Sequence, residues 1–213
     1  MRLEGVAPGV EIELRASTRD DAGNDWRSAA VFLAGGDGVI DLVRDHPLRG
    51  NYAEDSVMGL FWSMAIAADQ AGGRTVFAKD SVAPNTVQLA AHANGRLIAS
   101  ATVTRKFCAD GTTTRDLSVP NPSDAAPGAH TTVGRLFMPS GAGPHPVVVV
   151  LSGSGGGFDI DKAAVLSRHG FATFALSYFG VPPLPSWLHR VPLEYFESAL
   201  MWLRAQPDRK SVV

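Results

Sequence analysis

The sequence predicts two domains, an all-β sandwich followed by a parallel α/β sheet. Three observations predict it. Apolar and polar residues alternate through the first half, an Asn-Gly pair separates two strand-like runs near its end, and a run of valines passes directly into glycines in the second half.

In the first half, residues 10–14 set Val10, Ile12 and Leu14 on one side and Glu11 and Glu13 on the other. That period of two belongs to a half-buried strand. Residues 20–25 (DDAGND) form a turn cluster, residues 26–33 a second strand closed by the glycines of 35–38, and residues 39–43 a further strand. Residues 86–91 and 96–103 flank Asn94-Gly95, whose types suit a turn with positive φ at both central positions. Short antiparallel strands at this spacing predict an immunoglobulin-like sandwich. Trp26, Phe32 and Trp62 are its expected aromatic core. Residues 59–68 (GLFWSMAIAA) fit either a strand or a short helix, and periodicity does not decide.

Composition shifts near Thr104, which divides the chain into residues 1–104 and 105–213. Residues 105–119 read as strand, turn at Asp110-Gly111, and strand, with Cys108 in the first run. Residues 120–130, rich in Pro, Gly, Ser and Asp, read as a loop and 131–138 as a strand. Residues 147–151 (VVVVL) fit a strand buried on both faces, as in a parallel sheet. Residues 152–157 (SGSGGG) follow directly, then a helix over 161–169 with Asp159 or Asp161 as its cap and Gly170 at its end. Residues 171–178 form a second apolar strand, and 192–205 a helix with Pro192 in its first turn. Leu193, Phe196, Leu200 and Leu203 are its core stripe, with Glu194 and Glu197 toward solvent. Strand, glycine loop, helix, strand, helix is a βαβα unit, which requires a parallel sheet.

Of the 213 residues, 45% are hydrophobic, enough for a core. A formal charge of -2 with both signs interspersed leaves no basic footprint for nucleic acid. The N-terminus lacks the pattern of a secretory signal, and no apolar run approaches the roughly 20 residues that span a bilayer. Cys108 is the only cysteine, which excludes an intrachain disulfide and fits a reducing, cytoplasmic setting. With no base beside it, Cys108 reads as a structural side chain. The six histidines (His46, His92, His130, His145, His169 and His189) show no metal-ligand spacing, and no metal or cofactor is expected. His145 precedes its strand, at the wrong edge of the sheet for catalysis. Oligomeric state is not legible.

The glycine loop lies at the C-terminal end of a buried strand, the edge where open α/β sheets bind ligands. Glycines there let backbone N–H groups approach a ligand closely. Three chemistries use such a loop. Dinucleotide binding needs glycine at the first, third and sixth positions; counting from Gly153 the third is Gly155 but the sixth is Phe158, and the next strand ends Ser177-Tyr178-Phe179-Gly180 without an acid. A phosphate-binding P-loop needs Gly-Lys followed by Ser or Thr, which is absent. An oxyanion hole in a hydrolase takes one amide from this loop and one from the residue after the nucleophile. A tight strand-to-helix turn without catalytic role is the remaining alternative. Ser152 and Ser154 have no neighbouring base and read as backbone spacers.

Residues 145–178 (HPVVVVLSGSGGGFDIDKAAVLSRHGFATFALSY), followed by Leu193-Glu194-Tyr195-Phe196-Glu197, resemble the catalytic domain of the acyl-CoA thioesterase and bile acid-CoA:amino acid N-acyltransferase family. Residues 10–15, 26–32, 36–42 (GDGVIDL) and 58–64 (MGLFWSM) resemble that family's β-sandwich domain. The resemblance implies a two-domain chain, the second domain being the front of an α/β-hydrolase. It also implies an acyl-CoA substrate, from fatty-acid metabolism, hydrolysed by a serine or cysteine nucleophile with a histidine base and an orienting aspartate. Transfer of the acyl group to an amino acid is the alternative.

On this resemblance Ser154, Gly155 and Gly156 are the oxyanion-hole candidates. Tyr178, Phe179, Leu184 and Trp187, in the proline-stiffened loop after the second strand, are acyl-pocket candidates. No Gly-x-Ser-x-Gly occurs in the sequence. Nucleophile, aspartate and histidine are expected beyond Val213, so this chain by itself carries no catalytic residue. Residues 206–213 read as the approach to, and start of, the nucleophile-bearing strand, with Ser211 ahead of it. Taken as complete, the chain would instead be a binding module whose parallel sheet lacks its last strand.

Overall fold

The computed structural model describes residues 1–66, 76–119, 131–206 and, as backbone alone, 209–212. The expected loop at 120–130, with His130, lies outside the described residues, as do residues 67 and 68 of the ambiguous segment. The described chain is mostly β-sheet with few helices. It divides into two compact units, Met1–Asp80 with Pro84–Arg105, and Ser81–Ala83 with Lys106–Val213.

The first unit is β1 (Arg2–Glu4), β2 (Glu11–Arg19), β3 (Asp25–Leu33), β4 (Val39–Asp41), β5 (Arg49–Gly50), α1 (Gly59–Trp62), β6 (Ala65–Ile66), β7 (Asn85–Ala93) and β8 (Arg96–Arg105). An antiparallel sheet runs β5-β3-β2-β7-β8, with β6 also on β3, and β1 and β4 form a separate two-stranded sheet. Alternation fixes the register. Ile12 lies opposite Phe32 and Leu14 opposite Ala30, and all four are buried. A slip of one residue would turn this set out to water. Asn94 and Gly95 take φ 51° and 76°, the left-handed pair that closes the β7–β8 hairpin.

The ambiguous segment divides. Residues 59–62 make one helical turn that sends Leu60 into the core, and Ala65–Ile66 then pairs with Trp26 and Arg27 of β3. Trp62, expected in the core, is 55% exposed and donates its indole N–H to Ser56 Oγ at 3.1 Å. With the turn facing inward through Leu60, position 62 faces out.

The second unit is β9 (Thr113–Val119), β10 (Thr132–Met138), β11 (His145–Leu151), α2 (Ile160–Ser167), β12 (Ala172–Ser177), α3 (Leu193–Arg204) and β13 (Arg209–Val212). Its sheet runs β13-β11-β12-β10-β9. β11 is parallel to both β12 and β13, β10 is antiparallel to β12, and β9 is antiparallel to β10. β11 is therefore interior to the described sheet. Val147 and Val150 are buried, Val148 and Val149 half-buried, and Leu151 is exposed where the strand leaves the sheet. Burial on both faces thus holds only for part of the run.

The structure departs from the sequence pattern at several positions. Residues 106–112 form turns, not a strand: Lys106 pairs with Asp110 at 2.7 Å, Gly111 takes φ 81°, and Phe107 and Cys108 pack against the cluster of Phe137, Val150 and Ala163. Side-chain packing there replaces ladder pairing, and burial pushes the Cys108 thiol up. Asp159 occupies the cap position of α2 without capping it, because its carboxylate binds Lys162 Nζ at 2.6 Å. The α3 core stripe is Tyr195, Ala199 and Leu203. Leu193, expected in it, is 79% exposed at the first helical position, and Phe196 and Leu200 are half-buried. The strand start expected near the end of the sequence is present as β13 over four residues, and Ser211 lies within it, not ahead of it.

Candidate functional site

β11 and β12 run parallel, Leu151 beside Leu176, so the loops that follow them leave the same sheet edge. Residues 152–157 follow β11 and residues 178–188 follow β12. His145 begins β11, at the opposite end from the glycines. Neither loop contains a histidine, aspartate, glutamate or cysteine. They bring together hydrogen-bond donors and apolar walls, but no base.

Within the glycine loop, the Gly156 N–H donates to the Gly153 carbonyl at 3.1 Å, closing a turn. The Gly157 N–H donates to the Phe179 carbonyl at 3.0 Å, joining the two loops. Gly156 has φ +68°, and a Cβ there would stand 2.8 Å from the Phe179 ring and 3.0 Å from its carbonyl oxygen, so only glycine fits. Of the three expected donors, Gly156 is thus engaged inside the turn. Ser154 and Gly155 are exposed residues, and their N–H groups, like that of Gly153 before them, donate to no atom among the described residues. Two adjacent free N–H groups at the exit of an interior parallel strand can receive a negatively charged oxygen.

The apolar candidates separate. Tyr178 is half-buried, its ring 5.0 Å from that of Phe179 and 5.6 Å from that of Phe196, and its hydroxyl donates to the Ser152 carbonyl at 2.8 Å. Phe179 and Leu184 are buried, Leu184 in the cluster that holds Phe174, Tyr195 and Leu203. Trp187 is 81% exposed and joins none of the buried clusters. The Ser152 hydroxyl is buried with no partner, while the Ser154 side chain is exposed.

Two supporting residues were not singled out from the sequence. Ser177 Oγ donates to the same Phe179 carbonyl at 3.1 Å. The buried Tyr195 hydroxyl accepts from Val133 N–H at 3.2 Å and donates to the Ser177 carbonyl, and burial raises its pKa. A serine ending a mostly apolar strand, and a tyrosine on the inner face of a helix, were the available signals.

Residues 1–119 match the family described as "Acyl-CoA thioester hydrolase/BAAT N-terminal region". The chain belongs to that family. Bile acid-CoA:amino acid N-acyltransferase of Mus musculus is 32% identical over 97% of this chain and 49% of its own length. Acyl-coenzyme A thioesterase 1 of Rattus norvegicus is 33% identical over 98% and 48%. Mitochondrial acyl-coenzyme A thioesterase 2 of Homo sapiens is 32% identical over 98% and 41%. The chain spans about half the length of these curated relatives of the thioester hydrolase family. The match to the family description covers the first unit and β9, while the relatives align through the glycine loop as well. Among the described residues, no helix is long and apolar enough to cross a membrane.

Proposed function

We propose that this chain forms the first half of an acyl-CoA thioester hydrolase, an immunoglobulin-like sandwich over residues 1–104 and the opening strands of an α/β-hydrolase domain over 105–213. The observation that carries the reading is the pair of free amides at Ser154 and Gly155, at the C-terminal end of interior strand β11. Three adjacent parallel strands preceded by an antiparallel pair support the hydrolase assignment.

When a nucleophile attacks a thioester, the carbonyl oxygen gains negative charge. Donors at about 2.7–3.1 Å from that oxygen lower the barrier because they are already oriented and need no reorganisation. In this reading Ser154 or Gly155 supplies one donor, and the residue after the nucleophile supplies the other. A serine or cysteine nucleophile, its histidine base and the orienting aspartate belong to residues that follow β13 in a protein of the relatives' length. The substrate is a fatty acyl-CoA, the products are the free acid and CoA, and the setting is a reducing one such as the cytoplasm. Tyr178 and Phe179 wall the acyl side of the site. If an amine rather than water attacks the acyl-enzyme, the same site performs amino-acid N-acyl transfer, the reaction in the name of the murine relative.

Hydrolysis of palmitoyl-CoA, followed by trapping of the released thiol, tests the proposal. The 213-residue chain is expected to show background only, and a chain continued to the length of its relatives to turn over. Added glycine diverts product to acylglycine only if the transferase alternative holds. Turnover by the 213-residue chain, or none by the longer one, contradicts the reading. A second reading, a binding module for an apolar chain, has one observation in its favour: a cavity of about 430 Å³ in the first unit, lined by Leu14, Leu42, Leu60, Phe61, Leu89 and Val103.

A further inference from the structure

We infer that Tyr178 is a positioning residue, holding the glycine loop so that its two free amides stay presented; the purpose of that presentation rests on the hydrolase reading above. Two hydrogen bonds and close packing join the loops after β11 and β12. The Tyr178 hydroxyl donates to the Ser152 carbonyl at 2.8 Å, at the first residue of the glycine loop. The Gly157 N–H donates to the Phe179 carbonyl at 3.0 Å, at its last. Gly156 lies against the Phe179 ring, and a Cβ on Gly180 would stand 3.3 Å from the Gly157 nitrogen.

The glycine loop is thus held at both ends by consecutive residues of its neighbour, and the free amides of Ser154 and Gly155 lie between the two holds. A run of glycines has the largest conformational freedom of any sequence, so without such holds it would sample many orientations. The holds have their own support. Ser177 Oγ donates to the Phe179 carbonyl, and the Tyr195 hydroxyl donates to the Ser177 carbonyl. The Tyr178 side chain reaches the loop itself through a hydrogen bond, where that of Phe179 meets it only by packing on Gly156. The Tyr178 ring lies 5.0 Å from that of Phe179 and 5.6 Å from that of Phe196. Tyr178 therefore acts through the Ser152 carbonyl and touches no reacting atom.

Amide hydrogen exchange and ¹⁵N–¹H spectra of the 213-residue chain test this. Tyr178→Phe keeps the ring and removes only the hydroxyl. The expected result is Gly157 exchange faster by about tenfold, with shifted Ser154 and Gly155 resonances and unchanged exchange at Val149 and Ala175 in the β11–β12 ladder. Ser177→Ala, which weakens the second hold, is expected to speed Gly157 by a smaller factor. Phe196→Leu, which leaves the hydroxyl in place, is expected to leave the loop amides unmoved. Loop amides unchanged in both Tyr178→Phe and Ser177→Ala would overturn the inference. So would a uniform rise in exchange across the ladder, the mark of a merely structural role. Because the readout needs no substrate, its failure leaves the hydrolase reading standing, and failure of turnover in the longer protein leaves the role of Tyr178 standing.

Discussion

The turn after β2 and the loop after β11 both join regular elements with short polar and glycine residues, yet they treat their backbone donors in opposite ways. In the first, the buried Asp20 carboxylate accepts from Asn24 N–H at 2.8 Å, Asn24 Nδ2 at 3.0 Å, Trp26 Nε1 at 3.1 Å and Ala78 N–H at 3.3 Å. Burial alone would raise its pKa, but these donors together hold it well below the usual carboxylate range. In the second, Gly156 and Gly157 are engaged while Ser154 and Gly155 donate to nothing described. A loop whose donors converge on one buried carboxylate is built for stability. One that leaves adjacent donors unengaged, beside two that are fixed, is suited to receive a ligand.

The comparison breaks first at Asp20. Asp20→Ala strands the Trp26 indole N–H and two backbone amides, and should cost the first unit about 3 kcal/mol in a denaturant melt. An effect below about 0.5 kcal/mol would show that the turn does not depend on its carboxylate. Gly156→Ala comes next. A Cβ at φ +68°, pressed on Phe179, should cost the second unit about 2 kcal/mol, whereas Gly155→Ala, with no atom within 4 Å of its Cβ, should cost under about 1 kcal/mol. Equal costs would deny that the two glycines differ in role. Tyr195→Phe leaves the Val133 N–H and the Ser177 carbonyl short of a partner and should cost about 1–2 kcal/mol by the same melt.

The pH dependence sharpens the contrast. A carboxylate whose folded pKa lies below its unfolded value contributes stability in full above that unfolded value, near 3.8, and loses it as pH falls toward the folded one. The first unit should therefore weaken below about pH 4, and Asp20→Asn should flatten that limb. The second unit's glycine loop, with no carboxylate in it, should add nothing to it. Smallest of all, Trp187→Ala should change stability by less than about 0.5 kcal/mol, since the ring is 81% exposed.

Much of the strand framework was legible in the sequence because each strand's pattern is local. The alternation through Ile12 and Leu14, the Asn94-Gly95 turn and the valine run of β11 depend on neighbours within a few residues. The misses came where distant packing decides. Phe107 and Cys108 have the composition of a strand but turn toward the cluster around Phe137. Trp62 has the size of a core residue, but the one-turn helix commits Leu60 instead. The α3 stripe shifted from Leu193 to Tyr195 because a tyrosine hydroxyl that finds two buried partners packs inward like a hydrocarbon. The position of the glycine loop was readable from its own residues. Which of its amides remain free was not, because the partner that engages Gly157 is a carbonyl contributed by a different strand's exit.

The most direct test is a structure of the chain continued to the length of its relatives, inhibited by an alkylphosphonate that mimics the tetrahedral intermediate. A phosphonyl oxygen is expected within about 2.7–3.1 Å of the Ser154 or Gly155 amide nitrogen, with the Gly156 amide still bound to the Gly153 carbonyl. A phosphonyl oxygen held elsewhere, with both amides facing only solvent, would contradict that placement.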